Sequence, residues 1–122
     1  MAVTYNTTLA NARLTAVVTA IGASGKLEIG TAGMATVLAT ITLGNPAGTV
    51  ASRVLTFSGF PRSDTSNDAT GNAAAARIRD GSNSDIVTGL TVGTAAADVI
   101  VDSISFILGE AVTISSAAIT HP

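Results

Sequence analysis

Residues 34–43 read MATVLATITL, and their alternation decides the fold class. Val37, Ala39, Ile41 and Leu43 fall on one side, Thr36, Thr40 and Thr42 on the other. Such period-two alternation marks a half-buried β-strand, because successive side chains leave an extended backbone on opposite faces. Leu38 breaks the polar side, so that face is not fully wet. The stretch is expected to be a central strand, with further strands and a single helix around it.

Just before it, residues 26–31, KLEIGT, alternate Leu27 and Ile29 with Lys26 and Glu28, which predicts a strand with one wet face. Thr31, Ala32 and Gly33 then turn the chain into the 34–43 strand as a hairpin. Further back, residues 6–23, NTTLANARLTAVVTAIGA, predict an N-terminal amphipathic α-helix. Ala10, Leu14, Val17, Val18 and Ile21 stack on one side at 3.6 residues per turn. Asn6 is placed to cap the first turn, and Gly22 or Gly25 to end the last one. Thr and Val are mediocre helix formers, so this helix must dock its apolar stripe on the sheet.

After the 34–43 strand, residues 44–52, GNPAGTVAS, read as a loop and residues 54–58, VLTFS, as a strand with Leu55 and Phe57 on one face. Residues 59–72, GFPRSDTSNDATGN, form a long polar loop with nothing periodic in it. The alanine run in 73–80, AAAARIRD, favours helix by propensity. Ile78 between Arg77 and Arg79, followed by the turn residues 80–84, predicts a strand instead, hairpinned to 85–92, DIVTGLTV. There Ile86, Leu90 and Val92 share a face with Thr88. Residues 98–108, DVIVDSISFIL, place Ile100, Ile104 and Phe106 on one face with Asp102 interrupting it, and 112–120, VTISSAAIT, form a last strand. Short strands at turn-punctuated spacing predict a mainly β fold, an antiparallel β-sandwich or jelly-roll-like domain with one N-terminal helix. One domain is expected over 1–122, with the helix at about 6–23 and the sandwich at about 26–120.

Composition bounds the function. Apolar residues make up 47% of the 122, but aromatic ones only 3% and charged ones 11%, where an ordinary domain has about a quarter charged. Part of the surface is therefore expected to be buried against other protein, by homo-oligomerisation or attachment to an assembly. The net charge of −2, without a basic run, argues against nucleic acid. There is no cysteine, no basic-then-apolar leader pattern in residues 1–13, and no apolar run of the roughly 18 residues that span a bilayer. Synthesis in a cytoplasm without export, and no membrane partner, is the expectation.

Chemistry finds little footing. His121, the only histidine, is penultimate, a poor place to hold a catalytic imidazole. Asp98 and Asp102 share a strand face about 13 Å apart at ~3.3 Å per residue, too far for a retaining glycosidase pair and wide for an inverting one. Asp64, Ser66, Asp68 and Asn72 imitate the start of a calcium loop, but Ala69 stands where that loop needs glycine and no acid closes it. No catalytic residue, cofactor or metal site is expected, and the chain is read as a non-enzyme.

Residues 55–65, LTFSGFPRSDT, and 112–122, VTISSAAITHP, together with the opening TYNTTLANARLTAVVTAIG and the KLEIGT that follows the helix, resemble the small virion structural proteins of tailed bacteriophages. Within that group the favoured type is the head decoration, or cement, protein. The resemblance implies a homo-oligomer on the virion capsid surface, made in the host cytoplasm, with the major capsid protein as partner. Phe60, Pro61 and Arg62 are then the expected contact anchors, since an exposed aromatic and an arginine most often carry interface energy. The alternative for Phe60 is a plug folded back into the core. Tyr5 and the tail from Ile119 are second candidates. A tail, collar or head-fibre component remains the rival reading. A carbohydrate-binding module would need an aromatic platform, and the chain has no Trp, one Tyr and three Phe.

Overall fold

In a computed structural model that describes residues 5–64 and 66–120, the chain is mainly β, with antiparallel sheets and one α-helix among the described residues. The helix, α1, spans Thr7–Ile21. Asn6 caps it, its Oδ1 accepting from the Leu9 N–H at 2.8 Å and satisfying one orphan donor of the first turn. Gly22 ends it at a φ of 70°, which glycine adopts without a Cβ penalty, and donates back to the Val18 carbonyl. Ala10, Leu14 and Ile21 of the apolar stripe are buried.

Twelve strand segments follow among the described residues: β1 (Lys26–Gly30), β2 (Val37–Thr42), β3 (Gly48–Ala51), β4 (Val54–Phe57), β5 (Arg62–Asp64), β6 (Gly71–Asn72), β7 (Ala75–Arg79), β8 (Asp85–Leu90), β9 (Val92–Gly93), β10 (Val99–Val101), β11 (Ser105–Phe106) and β12 (Val112–Thr120). One sheet has the order β2-β1-β7-β8, all antiparallel. A second has the order β3-β4-β12-β10-β9, with β5 also on β12, and only β9 and β10 run parallel. β6 and β11 form a separate two-stranded ribbon. The helix lies against β3, β4 and β8. Its Leu14 joins Ile29 and Ile78 of the first sheet, Leu55 and Ile114 of the second and Phe106 of the ribbon in one buried cluster. Each such side chain is worth about 1.5–3 kcal/mol when fully buried. Where β3 crosses β4 the backbones approach so closely that a Cβ on Gly48 would lie 2.3 Å from the Thr56 carbonyl oxygen, so only glycine fits.

Three sequence expectations are corrected here. The 34–43 strand is β2, an edge strand and not a central one; β1 and β7 take the interior. Residues 44–52 are not all loop, because 48–51 extend as β3 and pair with β4. Residues 98–108 are not one strand. Asp102 turns its carboxylate onto the Thr113 N–H, the chain leaves the second sheet, and it re-enters strand conformation at β11 against a different partner. The break resets the side-chain parity, so Val99, Val101 and Phe106 are buried while Ile104 is exposed.

The outward face of the first sheet is less wet than its alternation suggests. Glu28 is buried, and its Oε1 accepts from Arg77 Nε at 2.6 Å, with Arg79 Nε 3.7 Å away. Arg79 Nε also donates to Asp85 Oδ1 at 2.7 Å. β1, β7 and β8 place these groups as cross-strand neighbours, Glu28 opposite Arg77 and Arg79 opposite Asp85. The Arg79 hydrogen bond lowers the Asp85 carboxyl below its ordinary 3.8, against the opposing desolvation, and the Arg79 and Arg77 charges add to the lowering. A carboxyl depressed in the folded state stabilises it above the unfolded value and loses that contribution as pH falls through the folded one. Asp85→Asn is therefore expected to cost stability at neutral pH and to flatten the loss below 3.8. Urea midpoints measured against pH for both proteins check this, and parallel acid limbs would refute it.

Candidate interaction surface

The residues singled out in the sequence fall into two places. Tyr5 is half-buried just ahead of α1, its ring 4.6 Å from the Arg13 guanidinium carbon and its carbonyl accepting from Arg53 Nη2. The Arg53 N–H donates to Asn11 Oδ1 at 2.9 Å. These bonds hold the β3–β4 turn, where Ser52 and Arg53 take positive φ values of 49° and 69°. Val54, next in the chain, pairs with Thr120, so Tyr5 and the end of β12 meet through this turn. Ile119 is not a free tail residue but lies in β12 opposite Leu55, half-buried against the core. His121 and Pro122 lie outside the described residues.

Phe60, Pro61 and Arg62 follow the other end of β4. Phe60 is half-buried and packs against the core cluster, which is the plug arrangement in part. Pro61 is exposed. Arg62, at the start of β5, donates from Nη1 to the Thr42 carbonyl of β2. The 59–72 segment is thus docked rather than free. Asp64 Oδ2 accepts from the Thr40 N–H at 3.1 Å, Asp68 Oδ2 from the Thr40 hydroxyl at 3.2 Å, and the Asp68 N–H donates to the Leu38 carbonyl at 2.7 Å. These contacts close the open edge of β2. Leu38, the apolar break in its polar face, is buried under β6: a Cβ on Gly71 would sit 3.2 Å from its side chain.

The segment paired with this one, residues 102–111, carries a feature that periodicity does not show. Ile104, Ile107 and Leu108 lie within five residues of one another and are 42%, 48% and 63% exposed. They surround Phe106, which is buried to 1% and anchors β11. The backbone on either side is pinned. The Ala73 N–H donates to the Ile104 carbonyl at 2.8 Å, and the Leu108 N–H to the Thr70 hydroxyl at 3.0 Å. Buried Asn67 donates its N–H to the Glu110 carbonyl at 2.7 Å and its side-chain amide to the Ile107 carbonyl at 3.3 Å, and its own carbonyl accepts from Gly109. No family model, curated protein or solved structure matches this chain. The surface is therefore read from its own geometry: apolar side chains held out on a turn whose backbone is bonded on both sides.

Asp102, Asp98 and Asp64 bond groups of their own chain. Asp102 Oδ1 accepts from Thr113, and Asp98 Oδ2 accepts from both the N–H and the hydroxyl of Thr91, closing the β9–β10 connection. Asp64 accepts at Oδ2 from the Thr40 N–H and at Oδ1 from the Ser66 N–H, and exposed Asp68 accepts at Oδ2 from the Thr40 hydroxyl.

The signal that could have found the patch was Asp102. An acid inside an otherwise apolar run breaks the strand, and the parity of everything after it then changes.

Proposed function

We propose that this chain is a head decoration, or cement, protein of a tailed bacteriophage, which binds the outer surface of the shell at capsomer junctions and stabilises it by non-covalent contacts. The observation that carries the reading is the rigid exposure of Ile104, Ile107 and Leu108 in a chain with 11% charged residues. Apolar side chains held out on a pinned turn favour burial against other protein, and a shell offers that burial to many copies, each making a weak contact. The likeness of residues 55–65 and 112–122 to phage virion proteins supplies the virion.

In this reading the two larger sheets, which share one core, form a β-sandwich of jelly-roll type with the helix across it. The major capsid protein is the partner, the chain is a homo-oligomer that needs no cofactor, and its seat is the capsid surface. Pro61, exposed beside half-buried Phe60, and Arg62 remain the contact anchors on the 59–72 segment. The reading is tested by the copy number of the chain per purified virion, measured by quantitative mass spectrometry against the major shell protein. A number comparable with the shell subunits is expected. A small number fixed by the tail axis would move the chain to a tail, collar or head-fibre position and end the cement mechanism.

A further inference from the structure

The residues whose bonds build the exposed turn, 67–73 and 102–111, carry three charged side chains, and all are acids: Asp68, Asp102 and Glu110. Three of the chain's eight acids are therefore here and none of its bases, leaving five acids against all six bases elsewhere. The three ion pairs among the described residues lie in the first sheet and involve none of these three. Glu110 follows Leu108 by two residues and donates its N–H to the Ile107 carbonyl, its own carbonyl accepts from Asn67, the residue before Asp68, and the Asp68 and Glu110 side chains are both exposed.

This charge distribution chooses the occupant. A twofold contact between two copies sets a patch against itself, so each acid would meet acids, and like charges across an interface cost several kcal/mol. A surface with an apolar centre and an acidic rim is complementary to an apolar pocket rimmed by Lys or Arg. We infer that Ile104, Ile107 and Leu108 dock into such a pocket on a different protein, with Glu110 and Asp68 meeting its basic rim. This inference rests on the reading of the chain as a subunit of an assembly; on the proposal above, the other protein is the shell subunit. The turn loses little freedom on docking, since its backbone is already bonded to Thr70, Ala73 and Asn67.

The test places a photo-crosslinking p-benzoylphenylalanine at Leu108 of the full chain, in cells where particles assemble, and sequences the peptide it captures. A control places the same residue at Ala16, exposed on α1. The expected adduct joins Leu108 to an apolar segment of another protein flanked by Lys or Arg, with none at Ala16. Glu110→Lys should lower its yield several-fold and Glu110→Gln less, both with unchanged thermal midpoints. An adduct between two copies of this chain, a captured segment flanked by acids, no adduct at Leu108, or a yield indifferent to Glu110→Lys would each overturn the inference. Capture of a basic-rimmed protein other than the shell subunit would uphold the docking surface and overturn the cement reading, so the two fail separately.

Discussion

Phe106→Ala is expected to lower the unfolding free energy by about 4 kcal/mol, the largest effect of any single side-chain truncation here. Phe106 is buried to 1% in the shared cluster, and no other aromatic ring in the described chain is buried as completely. The loss combines the transfer free energy of the ring with a cavity that the two-residue β11 has little backbone pairing to close. Ordinary domains are stable by only about 5–15 kcal/mol, so a large part of the total goes. The consequence reaches the surface, because the ring is the anchor between Ile104 and Ile107. Equilibrium urea unfolding measures the loss, and amide exchange at Leu108 should rise with it. A loss below about 1.5 kcal/mol, typical of surface or volume-conserving changes, would mean that β11 is not held by this residue.

Glu28→Ala is expected to cost about 2–3 kcal/mol, for a different reason. The Glu28 and Arg77 side chains are 12% and 18% exposed, so the carboxylate is removed from beside two guanidinium groups that keep most of their burial. Removing one partner of a buried pair leaves the other charge uncompensated, a cost of about 3–5 kcal/mol at full burial and less here because some solvent reaches both groups. Arg79 still has Asp85 at 2.7 Å, so the strain falls on Arg77. Replacing both groups, Glu28→Leu with Arg77→Leu, should recover most of the loss, since well-packed apolar residues often equal a buried ion pair. The double-mutant cycle in urea should yield a coupling of at least about 1 kcal/mol. A coupling near zero would show that the pair is merely adjacent.

Much of the local structure was legible because it follows from groups close in sequence. The helix ends where Asn6 and Gly22 put its ends, the KLEIGT alternation became β1, and the alanine run settled as β7 because Ile78 and the 80–84 turn outweighed propensity. Of the residues named for contact, Pro61 is exposed, while Phe60 and Ile119 lean on the core. The sequence pattern makes residues 98–108 one strand, with Ile104 on the same face as Ile100 and Phe106. A periodicity argument assumes an unbroken strand, and the Asp102 bond to Thr113 breaks it through a residue eleven positions away.

The division between sequence and tertiary structure has one physical cause. Hydrophobic period, capping residues and turn residues act within a few positions, so by itself the sequence determined the helix, most of the strands, the β-rich class and the shortage of charge. Strand order and strand exposure depend on partners far along the chain. β2 has the pattern of an interior strand, yet it lies at an edge because Asp64 and Asp68 close that edge from the docked segment; Leu38 looks like a flaw until β6 covers it. The tertiary structure alone decided that Asp68 comes beside Glu110 at an apolar turn, because only long-range backbone pairing brings residues 67–73 against 102–111.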